Sequence, residues 1–198
     1  MVDGPNIIDP TGLGRWSGVT LESSASKKLS ILTAYRVCKG SPQSAPLGSS
    51  FLPEYEFFRE STDKSIFPRR QFLHDLQAVV LNFQEQGSGV ILMLDANSTI
   101  DDRNFSEFIA SCGLNDIHSL HPSPSTYIGS VDRRIDFIFG CNAVLPYVIR
   151  SGTLAYTEGP QSDHRSLYVD VSPDIIVQPL WHQVTPASAR ELYTGNLE

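Results

Sequence analysis

Val90-Ile91-Leu92-Met93-Leu94-Asp95-Ala96-Asn97 is the stretch on which the fold turns. Its first five residues are apolar without interruption, and five residues is a strand's length. Such a run reads as a central strand buried on both faces. Asp95 closes it. An ionised carboxylate at the end of a buried strand is costly without partners, which makes it a site candidate. Asn97 lies two residues on, so in extended backbone both side chains leave the same face. The same pair also suits an Asx turn or a helix-entry cap.

Moving toward the N-terminus, Arg70 to Gln86 has helical spacing. Phe72, Leu76, Val79, Val80 and Phe83 form one apolar stripe, and Gln86-Gly87-Ser88-Gly89 ends it. Lys39 to Pro53 is rich in Ser, Gly and Pro and reads as a loop, either a connector or a substrate-facing segment. Trp16 to Leu21 and Leu29 to Val37 read as strands. The polar turn Ser23 to Lys28 joins them into an antiparallel hairpin.

Toward the C-terminus, Asn104 to Cys112 is a short helix with Phe105, Phe108, Ile109 and Cys112 on one face and Gly113 as its stop. Leu114 to Leu120 is a short strand or extended loop. Arg134 to Phe139 alternates as a strand does. Val144 to Leu154 is a strand with an irregularity at Pro146, best placed at an edge. Ser166 to Val171 is the last clear strand. After it, Pro173, Pro179 and Pro186 argue for a tail draped over the surface, with a short helix at Ser188 to Tyr193 as the other reading. Strands mixed with a few helices give an α/β (α+β) layered protein.

Composition narrows the function. The 198 residues carry 15 Lys+Arg and 22 Asp+Glu, a net charge of −7, which excludes a purely electrostatic nucleic-acid binder. It leaves room for an enzyme that reaches phosphate through a divalent cation. At 40% hydrophobic and 19% charged the chain is globular rather than disordered. No apolar run approaches the ~18 residues of a membrane span. The first residues lack a basic start followed by an apolar stretch, so an intracellular place, cytoplasmic or nuclear, is expected. Cys38, Cys112 and Cys141 form no C-x-x-C pair, so reduced thiols are expected and neither a disulfide framework nor a zinc knuckle. His74, His118, His121 and His182 lack metal spacing and read as surface or loop residues.

Two further polar clusters join Asp95-x-Asn97. In Arg134-Ile135-Asp136-Phe137-Ile138-Phe139 the carboxylate of Asp136 stands among large apolar residues and needs a donor. That donor can be Arg134, the backbone or a histidine. In Ser162-Asp163-His164 the histidine has a ring that can bond a phosphoryl oxygen. If Asp136 holds one ring nitrogen, the other points outward in a fixed tautomer.

The order of these three clusters resembles that of the endonuclease/exonuclease/phosphatase superfamily, metal-dependent phosphoesterases similar to DNase I and the apurinic endonucleases. Gly14-Arg15-Trp16-Ser17, the segment from Ile31 to Tyr35-Arg36, and Thr126-Tyr127 agree with it. The resemblance runs from about Gly12 to Val171. It implies a four-layer sandwich, two mixed β-sheets packed face to face with outer helices. It divides the chain into a leader (1–11), a partial domain (12–171) and a tail (172–198).

The resemblance also implies roles. Asp95 would align the attacking water, and Asn97 would stabilise the phosphoryl group. His164 would hydrogen-bond the scissile phosphate, and Asp136 would orient His164. Tyr35 would reach a phosphate oxygen. Arg36 and Arg134 would be weaker phosphate contacts. Asp163, with Asp95, would hold Mg²⁺ or Mn²⁺, a hard cation that leaves the cysteines no part.

Two departures from the family stand out. Leu94 and Ala96 flank Asp95 where the family has Gly and Phe. The family's opening strand with an Asn, and the later strand ending in a metal-binding Glu, have no counterpart before Gly12; Glu22 lies on the hairpin. One sheet is therefore expected to be incomplete and the isolated chain to be weakly active or inactive. The implied reaction is phosphodiester hydrolysis on nucleic acid, DNA before RNA, as in retroelement proteins that carry such domains. The alternatives are a phosphatase acting on inositol phosphates or phospholipid head groups, and an inactive fragment or interaction scaffold.

Overall fold

A computed structural model describes residues 7–23, 26–41, 43, 49–60, 66–119, 124–129 and 132–177. In chain order these form β1 (Ile7–Ile8), β2 (Trp16–Glu22), β3 (Lys28–Tyr35), α1 (Phe51–Glu60), α2 (Pro68–Glu85), β4 (Ser88–Asp95) and α3 (Arg103–Ser111). Then follow β5 (Leu114–Asp116), β6 (Asp136–Cys141), β7 (Val148–Thr153) and β8 (Leu167–Val171), with 3₁₀ turns at Leu145–Tyr147 and Pro173–Ile175. Six strands make one mixed sheet in the order β1-β2-β3-β4-β6-β5, and β7 and β8 make a second. Among the described residues only the β3–β4 pair is parallel, because α1 and α2 carry the chain across from one to the other.

The central run behaves as its composition dictates. Val90 and Leu92 of β4 are fully buried and Leu94 nearly so. Registered pairing puts Trp16, Ala34, Leu94 and Phe137 in one row across four strands. That row faces the helices: Trp16 meets Phe72 of α2 edge-on at 6.2 Å, and Phe137 meets Phe105 of α3 at 5.4 Å. Phe72, Leu76 and Val80 of α2 are fully buried, each contributing about 1.5–3 kcal/mol through apolar area removed from water.

The opposite face carries Ile91, Met93 and Asp95 of β4 and Asp136 and Ile138 of β6. Leu167 of β8 packs there beside Met93 and Ile138. The small sheet thus covers the β4–β6 part of this face and leaves Val19 and Leu21 of β2 exposed at 43% and 37%. Among the described residues the helices form one layer, so helices, large sheet and small sheet make three layers. No described helix is long and apolar enough to cross a membrane.

Some local expectations change. A helix, α1, begins inside the segment read as a loop; Pro53 sits in its first turn, where a missing N–H is harmless. The strand expected from Val144 starts at Val148, because Pro146 starts a 3₁₀ turn instead. Leu114 to Leu120 yields only three strand residues before it turns. Residues 7–9, expected in a leader, are anchored. Ile7–Ile8 pairs with β2, and the buried Asp9 binds the buried Arg15 at 2.9 Å. Arg15 also reaches Asp75 of α2 at 2.8 Å. Burial would raise the Asp9 carboxyl, but hydrogen bonds from Arg15 and Thr11 outweigh it and hold the group at about 2. The helix considered at Ser188 to Tyr193 lies outside the described residues.

Candidate active site

Strand register assembles the site. Tyr35 at the end of β3 pairs with Asp95 at the end of β4, and Asp95 pairs with Asp136 at the start of β6. Three chemically capable side chains therefore stand in one row at one end of the sheet. All three point away from the helices, because residues paired across strands share a face.

His164 arrives over this row from the segment before β8. Tyr127 bridges both Arg133 and His164 as isolated β-pairs, and its ring lies 5.1 Å from the imidazole. His164 Nδ1 is 2.9 Å from Asp136 Oδ2. Asp136 is itself held by Thr126, whose fully buried hydroxyl accepts the N–H groups of Ile135 and Asp136 at 3.0 and 3.1 Å. A carboxylate accepting from Nδ1–H leaves Nε2 as the free ring nitrogen.

Asp95 and Asn97 form the opposite wall. Here the backbone turns sharply rather than continuing extended: Asn97 has φ 46°, in the left-handed region that Asn tolerates. The turn is an Asx turn, with the Asn97 N–H donating to Asp95 Oδ1 at 3.0 Å. Asn97 Nδ2 donates to the Arg36 carbonyl at 2.8 Å, which fixes the amide and leaves its second N–H available. From behind, Arg69 donates to Asn97 O and Ser98 Oγ at 3.2 and 2.7 Å.

Tyr35, Asp95, Asn97, Asp163 and His164 line one cleft of about 760 Å³. Burial pushes the Asp95 carboxyl up to about 6, and the neighbouring charge of Asp136 adds to this. Burial also raises the Tyr35 phenol, which stays a hydrogen-bond donor at neutral pH.

Neither a protein-family model nor a curated protein sequence matches the chain. Solved structures do. It is similar to the 3′ phosphatase NExo from Neisseria bound to product DNA hairpin, at 15% identity over 80% of this chain and 65% of that one, with a TM-score of 0.55. The catalytic domain of Xenopus laevis APE2 matches at 15% identity over 79% of this chain and 55% of that one, with a TM-score of 0.52. The endonuclease domain of TRAS1, a telomere-specific non-LTR retrotransposon, matches at 15% identity over 86% and 70%, with a TM-score of 0.51. The fold is DNase I-like. The chain spans just under two thirds of the Neisseria protein and just over half of the Xenopus one.

Within this DNase I-like frame, two expected residues sit elsewhere. Arg36 is buried and points behind the cleft, donating to Arg69 O and Ser98 Oγ at 3.2 Å each. Arg134 makes a two-pronged ion pair with Asp116 at 2.5 and 2.7 Å and lies over the Phe137 ring at 4.7 Å. The reason is alternation. Tyr35 and Arg133 face the cleft, so their neighbours Arg36 and Arg134 face away.

Most other cleft residues carried no signal in the sequence. Cys38, expected to take no part, is exposed in the cleft, with Sγ 3.1 Å from Asn97 Oδ1. Lys39, Ser98, Thr99, Asp101, Asp102 and Arg133 also line it. Of these, Arg133 alone was readable, as half of the basic pair Arg133-Arg134 close to the expected site.

The donors close enough together to share a cation are Asp95, one of the two expected, with Asp136 and His164. Single ligand atoms of Asp95, Asp136 and His164 lie within 4.8 Å of one another, whereas Asp163 is an exposed wall residue. Two carboxylates this close, one with its pKa pushed up to about 6, have the unbalanced negative charge that a hard divalent cation neutralises. The carboxylate oxygens fit such an ion, while His164 Nδ1 is already committed to Asp136.

Proposed function

We propose that this chain hydrolyses phosphodiester bonds of nucleic acid, DNA before RNA, with Mg²⁺ or Mn²⁺ bound. The observation that carries the reading is the Asp136–His164 pair at 2.9 Å, whose His164 lines one cleft with Asp95, Asn97 and Tyr35. Asp136 accepts from Nδ1–H and keeps Nε2 directed at a phosphoryl oxygen. The Asn97 amide and the Tyr35 hydroxyl donate to oxygens on which charge builds as water attacks. Asp95, ionised above about pH 6, orients that water and draws its proton.

Asp95 and Asp136 would hold the metal, with Asp163 at the rim. The bound ion would neutralise charge developing on the phosphoryl group. The net charge of −7 supports a metal-assisted approach to phosphate. Similarity to a phosphatase bound to DNA and to a retrotransposon endonuclease domain supports nucleic acid as the substrate and a retroelement-like origin.

The test is nicking of supercoiled plasmid by the purified chain with Mg²⁺ or Mn²⁺, beside Asp95→Asn and His164→Ala. Metal-dependent nicking above background that both substitutions remove is expected, at a modest rate. Nicking that survives both substitutions, or no nicking with either metal, refutes the reading.

A further inference from the structure

A second cavity, of about 480 Å³, lies behind the wall of the cleft. Lys39 and Asp102 line both, so the two adjoin. Arg36, Arg69 and Arg70 complete its charged lining. Four cations thus face one carboxylate in a chain whose net charge is −7. The rest of the chain carries 11 Lys+Arg against 21 Asp+Glu, so the cluster departs from the average composition.

The one carboxylate is already engaged. Asp102 caps α3, accepting from Phe105 N–H at 3.1 Å, and accepts from Ser98 Oγ at 3.2 Å. Arg36 and Arg69 are each buried, and both donate to Ser98 Oγ, so their charges sit side by side. Burial, and then the charge of Arg69, depresses Arg36 to about 10, the behaviour of a cation with too little anion nearby. Lys39 and Arg70 are exposed, and neither has an ion pair with a described residue. The first turns of α2 and α3 border the cavity through Arg69, Arg70 and Asn104. Neither turn contains an acidic residue, and α2 starts without a side-chain cap. The uncapped end of α2 therefore adds to the same field, while the Asp102 carboxylate offsets the end of α3.

We infer that this cavity binds a phosphate group: a second phosphate of the nucleic-acid strand whose scissile phosphate lies in the cleft. The inference rests on the proposed function for the identity of the strand and on the cation cluster for the phosphate. The buried arginines fix the pocket's floor against the Asp95–Asn97 loop, and Lys39 and Arg70 close on the ligand from its rim. Occupancy would set the strand's register relative to His164 and Asp95. A net-acidic protein would in this way obtain strand affinity from one placed pocket rather than from a basic stripe.

Fluorescence anisotropy of a labelled 20-nucleotide DNA, single-stranded and duplex, tests this without turnover, in EDTA over about 50–200 mM NaCl. Arg70→Ala and Lys39→Ala are compared with Arg150→Ala, an exposed arginine on β7. Loss of one phosphate contact lowers the slope of log K against log salt by about 0.9 for duplex and about 0.7 for single strand, and weakens duplex binding about fivefold at 0.15 M salt. That result is expected for Arg70→Ala and Lys39→Ala, and an unchanged slope for Arg150→Ala.

Wild-type affinity and slope in Arg70→Ala would overturn the inference, as would an equal fall in Arg150→Ala. Binding to vesicles containing a phosphoinositide, dependent on Arg70 and without DNA binding, would overturn the assignment to nucleic acid. If the slopes change as expected while plasmid nicking fails, the hydrolytic reading falls and the pocket stands.

Discussion

Asp95→Asn should make the metal-free protein more stable at alkaline pH. The Asp95 carboxyl is pushed from 3.8 up to about 6 by burial and by the charge of Asp136. A folded-state pKa above the unfolded one means that the folded state holds the proton more tightly. The stabilisation is complete below about pH 4 and is lost as pH rises through about 6. At ~1.4 kcal/mol per pH unit the loss is about 3 kcal/mol. Water in the open cleft screens part of it, leaving about 1–3 kcal/mol.

Asparagine is a neutral isostere that can still accept the Asn97 N–H, so it escapes the loss. Urea unfolding at pH 4, 6 and 8 should show the two proteins equal at pH 4 and the variant ahead by about 1–3 kcal/mol at pH 8. For a chain of this length that is a rise in Tm of roughly 2–4 °C per kcal/mol. Saturating Mg²⁺ should stabilise the wild type by mass action and the variant far less. An offset of the same size at pH 4 and pH 8, or an equal Mg²⁺ response, would refute the argument that Asp95 is held ready for a cation.

Other outcomes follow from the same physics. Glu54 of α1 is 4% exposed, and its Oε2 has no hydrogen-bond partner among the described residues. Burial pushes it up to about 7, so Glu54→Gln should gain up to about 3 kcal/mol at pH 8.5 and nothing at pH 4.5, read by urea unfolding. Asp136→Ala should keep the fold by circular dichroism yet lower metal-dependent cleavage by about 10²–10⁴, since His164 loses its orienting partner. Phe105→Ala empties a fully buried site between Phe137 and Phe139 and should lose about 3–5 kcal/mol in chemical denaturation.

Much of the fold could be read from local pattern. Val90 to Leu94 announced a central strand because an uninterrupted apolar run has no face to give to water. The stripe from Phe72 to Phe83 announced α2 because helical period puts those residues on one side. Proline is ambiguous at two places: Pro53 suits a loop and Pro146 an irregular strand, yet each sits in the first turn of a helix. Its meaning depends on where the first turn starts.

The sequence by itself determined which residues could do chemistry. A carboxylate ending a buried strand, a carboxylate set among phenylalanines and a histidine before the last strand are exceptional whatever the topology. Their order within the chain was legible too. Only the tertiary structure decided which of them meet. Pairing of Tyr35 with Asp95 and of Asp95 with Asp136 is a matter of strand register, and register depends on contacts between segments far apart in the chain. The same register turned Arg36 and Arg134 away from the cleft and brought Cys38 into it. It also gathered Arg36, Lys39, Arg69 and Arg70, spread over two stretches of an acidic chain, around one cavity. Charge adds up along a sequence, but a binding site depends on its distribution in space.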